Sequence, residues 1–125
     1  MSICDAHVHF FSPGFFNLLG AQDVFAHTGW QDPTSVDALA DRWVAELDDH
    51  GVGRAALIAS IANDEMSVAG AVARHPSRFV GLFMLNAASS DAVDRARQAP
   101  DAGARGMCLF PAMHRYSLHD ERVAA

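Results

Sequence analysis

Short, nearly uninterrupted apolar runs alternate with amphipathic segments along this chain, and that alternation limits its fold more than any other feature. The runs cover residues 54–60, 79–85 and 106–110, and a further run at 3–9 begins apolar and ends polar. Apolar runs of this length suit strands that are covered on both faces, as in a parallel sheet with helices packed against it. The chain is therefore predicted to be an α/β protein whose parallel strands are joined by right-handed crossovers.

The segment between the first two strands predicts the clearest helix. Its apolar residues recur at helical spacing and form a single stripe, with charged residues largely off that stripe. Thr34 or Ser35 can cap its first turn, and Gly51 can end it in the left-handed conformation. The stripe consists of Val36, Leu39, Ala40, Trp43, Val44 and Leu47.

Two further helices are predicted between the later strands. The first begins after Asn63 as its cap and ends near His75, because Pro76 cannot continue a helix. The second begins at Ser89 or Ser90 and ends before the next proline and glycine. The predicted order of elements is therefore β-loop-α-β-α-β-α-β.

Two parallel architectures fit this order. One is a small open, doubly wound sheet, and the other is the N-terminal half, about four βα units, of a (β/α)8 TIM barrel, which needs roughly 250 residues in full. The chain contains neither G-x-G-x-x-G nor G-x-x-x-x-G-K-[ST], so a nucleotide-binding open sheet lacks its usual phosphate loop.

Residues 10–35 are irregular apart from a short helix around 15–19, and so long a connection is uncommon unless it is functional. Residues 1–125 then form one incomplete TIM-barrel domain, whose last part, 111–125, is loop with a first helical turn.

The composition excludes several classes of function. The chain has 9 Lys and Arg against 15 Asp and Glu, so nucleic acid is not expected as a partner, because that binding relies on cationic contacts to phosphates. All of the basic residues are Arg, which excludes a Schiff-base or phosphate-loop lysine from this chain. No run approaches the roughly 18–20 apolar residues that span a bilayer, and no signal-peptide pattern is present. Cys4 and Cys108, each in an apolar run, are predicted to be buried thiols of a cytoplasmic protein.

The chemistry is predicted at the end of the first strand, in the sequence Asp5-Ala6-His7-Val8-His9. Side chains two positions apart on a strand point to the same side, so the imidazoles of His7 and His9 can converge on one ion beyond the strand. Neutral imidazole suits Zn²⁺, Fe²⁺ or Mn²⁺, and active sites form at this end of parallel strands. Asp5 shares their side, where it either orients a ligand or accepts hydrogen bonds in the interior.

Two histidines do not complete a catalytic zinc site, which normally takes three protein ligands. His27 in the long loop, and His114 and His119 after the fourth strand, are the candidates for a third ligand or a substrate contact. His50 and His75, at helix ends, are predicted to be structural. Because the chain has 7 His, the H-x-H pair can also be read as ordinary surface or core histidines.

Four motifs follow one another along nearly the whole chain. They are the D-x-H-x-H at 5–9, LDDHGV at 47–52 before strand 2, HPSRFVG at 75–81 entering strand 3, and GARGMCL at 103–109 entering strand 4. As an ordered set they resemble the amidohydrolase-related (amidohydrolase 2) branch of the amidohydrolase superfamily. That branch contains metal-dependent hydrolases and non-oxidative decarboxylases.

The resemblance implies a TIM barrel with one divalent metal ion, most often Zn²⁺, with Mn²⁺ or Fe²⁺ as alternatives. His7 and His9 are then metal ligands, and the acid/base residues are expected beyond residue 125, on strands 5, 6 and 8. Phe110 stands where some members place a bridging Lys or Glu, which favours a mononuclear site. In the hydrolases a metal-activated water attacks a carbonyl carbon of a small carboxylic or cyclic substrate. In the decarboxylases the ring carbon that loses CO2 is protonated instead.

Three side chains are candidates for contacts with a small-molecule substrate. Phe11 and Trp30 in the aromatic loop could contact a planar substrate, although loop aromatics also simply close a core. Arg115 could pair with a substrate carboxylate, although it could equally be a solvated surface residue.

A half barrel leaves unpaired edges on strands 1 and 4, and such edges invite pairing with another chain. The chain is therefore expected to be a fragment of a longer enzyme, inactive alone, or a half barrel that self-associates. Nucleic acid and membranes are not expected as partners. The alternatives to a hydrolase are a decarboxylase of the same family, a phosphoesterase with an H-x-H strand, and a catalytically dead half barrel that acts as an interaction partner.

Overall fold

Strands and helices alternate along the chain, as the apolar periodicity predicts. The computed structural model describes residues 3–19, 31 and 33–124. The strands are β1 (Ile3–Phe10), β2 (Val52–Ala59), β3 (Phe79–Leu85) and β4 (Ala104–Leu109). The helices are α1 (Pro13–Leu19), α2 (Val36–Asp49), α3 (Glu65–Arg74), α4 (Ala92–Gln98), α5 (Pro111–His114) and α6 (Glu121–Ala124).

The strands form one sheet in the order β1-β2-β3-β4, and every neighbouring pair is parallel. A doubly wound sheet reverses its strand order at a switch point, whereas a barrel places consecutive strands side by side. The sequential order therefore excludes the open doubly wound alternative and confirms the α/β half-barrel prediction. Within the described residues, β1 and β4 each pair on one side only.

The core lies between the sheet and the helices α2 and α3. Phe10, Leu57 and Ala40 are fully buried there, so β1, β2 and α2 share one apolar layer. Gly81 on β3 allows α3 to approach closely, because a Cβ at this position would lie 3.1 Å from Cγ1 of Val68. A second, smaller cluster joins β3 to α4, with Phe83, Leu85, Ala92 and Ala99 as its buried members.

Helix starts differ from the sequence prediction where a side chain has another partner. Ser35 caps α2 as predicted, accepting from the Ala38 N–H at 3.1 Å. Asn63, the predicted cap of α3, instead has a positive φ of 69°, which asparagine tolerates, and the cap position moves to Asp64. The Asp64 carboxylate does not bond its own helix, because it accepts a hydrogen bond from Ser12 after β1. In α4 the cap likewise lies later than predicted, at Asp91.

The prediction that both cysteines are buried is wrong. Cys4 is exposed, because it lies in the first half of the edge strand β1, where residues 3–7 are all exposed. Cys108 on the opposite edge strand is only half-buried, and burial raises the pKa of its thiol. Among the residues that the structure describes, no helix is both long enough and apolar enough to cross a bilayer.

An ion-pair network ties α2 to the end of α3 on the outer surface. The Arg74 guanidinium donates to both carboxylate oxygens of Asp41, at 2.6 and 2.7 Å, and to Asp37 at 3.2 Å. His75 lies 2.7 Å from the same Asp41 carboxylate. The hydrogen bonds from Arg74, and then from His75, hold the pKa of Asp41 well below its ordinary value of 3.8.

Replacing Asp41 with asparagine should make the stability of the chain less sensitive to acid. Because the pKa of Asp41 is lower in the folded than in the unfolded state, its stabilising effect is complete above pH 3.8 and is lost as the pH falls towards the folded value. In urea unfolding at about pH 5, 4 and 3, the wild type should lose stability faster than Asp41→Asn, so that the two converge. Asp49→Asn, at the exposed end of α2, is the control and should run parallel to the wild type. A constant gap between wild type and Asp41→Asn would contradict the linkage.

Candidate metal centre

The middle of β1 carries one extra residue relative to β2, which offsets an opposite register shift between Ile3 and Cys4. Asp5 pairs with Ala55 and Val8 with Leu57, so β1 takes three steps where β2 takes two. An irregularity of this kind re-aims the side chains within it. The backbone N–H of His7 donates to Oδ1 of Asp5 at 3.0 Å, so this carboxylate supports the backbone of the bulge. Two roles were predicted for Asp5, orienting a ligand and accepting hydrogen bonds, and the structure shows the second.

The imidazoles of His7 and His9 meet at the tip of β1. Their Nε2 atoms are 3.3 Å apart, and their rings cross at 69° with centroids 5.0 Å apart. Two nitrogens bound to one tetrahedral zinc ion at about 2.0–2.1 Å would lie about 3.3–3.4 Å from each other. The pair therefore has the spacing of two corners of a tetrahedral metal site, and its role as a metal site remains a prediction.

His9 is held on its other side by the end of β2. Its Nδ1 lies 3.2 Å from Oγ of Ser60, the residue that follows β2. The pKa of His9 lies below its usual 6.5, first because burial disfavours the charged ring and then because His7 is close. Only a neutral imidazole has the lone pair that a metal requires, so this environment favours the ligand form.

Aromatic rings cover one face of His9. The ring of Phe11 lies nearly parallel to it, at 8° with centroids 5.8 Å apart, and Phe15 packs against Phe11 at 4.4 Å. Phe11, the sequence-predicted substrate contact, therefore lies at the histidine pair. Its contact with a substrate stays a prediction.

Arg115, another predicted substrate residue, is not brought to this pair. Arg115 is exposed, with a left-handed φ of 56° at the C-cap of α5, beyond β4. The strands β2 and β3 separate β4 from β1 in the sheet. Trp30, together with His27, lies outside the described residues, so its predicted contact has no structural counterpart here.

Three of the other described histidines, His50, His75 and His114, lie at helix ends, and His119 lies in the turn between α5 and α6. His50 lies at the end of α2, with Nδ1 2.9 Å from the carbonyl oxygen of Glu46, and His75 contacts Asp41. His114 has a buried Nδ1 without a hydrogen-bond partner among the described residues. Over residues 3–19, 31 and 33–124, no group of three His, Cys, Asp or Glu side chains is arranged to hold a metal ion.

Ser60 is the site residue that sequence reasoning missed. It is buried at the carboxyl end of β2, next to the tip of β1. A sequence signal existed, because Ser60 is a polar residue at the end of an apolar strand. Carboxyl ends of parallel strands lie at one edge, so every polar residue in that position is a candidate.

Comparisons with known proteins give one informative match. The chain matches no protein-family profile and no curated protein. It is similar to the crystal structure of a probable 2-pyrone-4,6-dicarboxylic acid hydrolase from Acinetobacter baumannii with citric acid bound. The TM-score is 0.66 at 14% sequence identity, over 99% of this chain and 43% of that chain. The chain thus spans less than half of the length of that protein and shares its fold over that span, as expected for part of a TIM barrel.

Proposed function

We propose that this chain carries the metal-binding strand of a hydrolase that acts on a small carboxylic or cyclic substrate. The observation that supports this most strongly is the 3.3 Å approach of the two Nε2 atoms at the carboxyl end of β1. The four motifs that resemble the amidohydrolase-related family point to the same chemistry. The fold likeness to a probable hydrolase of a cyclic dicarboxylic acid agrees with both.

His7 and His9 would hold the ion through Nε2, with zinc as the first choice and manganese or iron as alternatives. When bound, such an ion supplies Lewis-acid activation of water and of a substrate carbonyl. Phe11 stacks beside His9, and Phe15 packs against Phe11, so this side of the proposed site is apolar. Because catalytic zinc sites normally have three protein ligands, we propose that a further ligand and the acid/base group come from outside the described residues or from a second chain.

The substrate class follows from the same proposal. A carboxylate-bearing lactone such as 2-pyrone-4,6-dicarboxylate is the first probe to use. Hydrolysis adds water to the ring carbonyl and breaks the ester C–O bond, so one carboxylate forms and one proton is released. Arg115 lies beyond β4 and not at the histidine pair, so its proposed pairing with a substrate carboxylate requires a substrate that reaches across the carboxyl ends of the strands. The alternative reaction, decarboxylation, releases CO2 and is distinguished by measuring that gas alongside the proton.

Zinc titration of the full chain tests the proposal. Calorimetry of metal-free protein should show saturable binding of zinc to the histidine pair, and elemental analysis after dialysis should find retained zinc. Binding is expected because the two donors are already at ligand spacing, so little reorganisation is needed. Absence of saturable binding would contradict the metal site. That result would favour the second candidate, an interaction protein that uses the edges of β1 and β4 that have no partner strand among the described residues.

A further inference from the structure

Ser60 has two hydrogen-bonding contacts that together favour one direction for its hydroxyl proton. Its Oγ lies 3.2 Å from Nδ1 of His9 and 3.4 Å from the carbonyl oxygen of Ile58. A carbonyl oxygen can only accept, so the hydroxyl proton is directed to Ile58. Both contacts are then hydrogen bonds only if Nδ1 of His9 carries a proton and donates it to Oγ.

That arrangement favours one tautomer of His9. A neutral imidazole carries one proton, and with that proton on Nδ1 the Nε2 atom keeps its lone pair. This Nε2 is the atom that lies 3.3 Å from Nε2 of His7. In the other tautomer Nε2 of His9 would carry the proton and could not bind a metal.

We infer that Ser60 is a positioning residue that holds His9 in the Nδ1–H tautomer and aims its Nε2 lone pair at the metal position. The inference rests on the proposed metal site for its purpose, although the tautomer itself exists without metal. Ser60 restrains the ring in its plane, while Phe11 packs against its face, so the two contacts restrict different motions of the ring. Residues that hydrogen-bond the second nitrogen of a ligating histidine commonly perform this task.

Asp5, the more obvious orienting residue by sequence, does not take this role for His9. Its carboxylate accepts the backbone N–H of His7 and supports the bulge. Ser60 comes from a different strand, 51 positions away, and is almost fully buried at 9% exposure. Burial of Ser60 limits competition from water for Nδ1, and a proton on Nδ1 leaves Nε2 of His9 free to accept from Nε2 of His7, so the two contacts are compatible.

Nitrogen-15 NMR of the imidazoles in metal-free protein, at a pH where they are neutral, tests the inference directly. His9 signals are identified by their loss in His9→Ala. The wild type should show the Nδ1–H form of His9, and Ser60→Ala should shift it towards the Nε2–H form. Ser60→Thr keeps the hydroxyl and should restore the wild-type tautomer. Ser89→Ala is the matched control, since Ser89 also follows a strand and donates to a backbone carbonyl, that of Asn86, far from the pair.

Zinc affinity provides the second readout. Ser60→Ala should weaken zinc binding by roughly 10–100-fold, the usual loss when a ligand's hydrogen-bonding partner is removed, while Ser60→Thr and Ser89→Ala stay near the wild type. An unchanged His9 tautomer in Ser60→Ala would overturn the inference, whatever the zinc result. A shifted tautomer in a chain that binds no zinc would support the role of Ser60 and contradict the metal site, so the two failures are distinguishable.

Discussion

Replacing either His7 or His9 with alanine should abolish specific zinc binding by this chain. Each substitution removes one of two donors that lie at tetrahedral spacing, and one imidazole alone does not chelate. The loss should exceed the roughly 10–100-fold expected when only a ligand's hydrogen-bonding partner is removed. Competition with a chelator of known affinity measures the change for each variant.

The matched control is His50→Ala. His50 is an exposed histidine at the end of α2 that contacts Glu46 of its own helix, so its loss should leave zinc binding unchanged. Circular dichroism of all three variants checks that the fold is kept. Wild-type affinity in His7→Ala or His9→Ala, or an equal loss in His50→Ala, would show that the zinc is held elsewhere.

Phe10→Ala should destabilise the chain by about 3–5 kcal/mol, the typical cost of removing a buried phenylalanine. Phe10 has no exposed surface and belongs to the core cluster between the sheet and α2. Since a domain of this kind is stable by roughly 5–15 kcal/mol, this loss is a large share of the free energy of unfolding, and the variant should unfold at a clearly lower urea concentration. Urea unfolding followed by circular dichroism measures the difference.

Leu18→Ala is the comparison for that experiment. Leu18 lies on α1, and 69% of its surface is exposed, so the substitution should change the stability by less than about 0.5 kcal/mol. Phe10→Leu keeps most of the apolar volume and should cost much less than the alanine variant. A loss of under about 1 kcal/mol in Phe10→Ala would mean that β1 is not packed as the structure shows.

The strands and helices could be predicted from the sequence because the spacing of apolar residues shows which faces of each element are buried. The stripe of α2 follows helical spacing, and its most buried members, Leu39, Ala40 and Leu47, face the sheet. β3 has the predicted bounds, Phe79–Leu85. Continuous apolar strands indicate two covered faces, and that requirement leads to parallel strands with helices between them.

The candidate site was predictable only in part. The H-x-H spacing on a strand places His7 and His9 on one side, and the structure brings their rings together. The contact of His9 with Ser60 joins residues 51 positions apart and depends on the register of two strands, which no local pattern determines. The exposure of Cys4 escaped prediction for a similar reason, since it depends on which neighbours an edge strand has.

The extra residue in β1 separates the direction of the His7 side chain from the pairing of the residues that follow it. In a regular strand, a shift of one residue turns every following side chain to the opposite face, so the aim of His7 could not change without expelling Phe10 from the interior. Here the offset is absorbed between Asp5 and Val8, and the pairing of Val8, His9 and Phe10 with β2 continues undisturbed. Insertions or deletions between Asp5 and Val8 should therefore change the direction of the His7 side chain while the pairing of the later residues with β2 is kept.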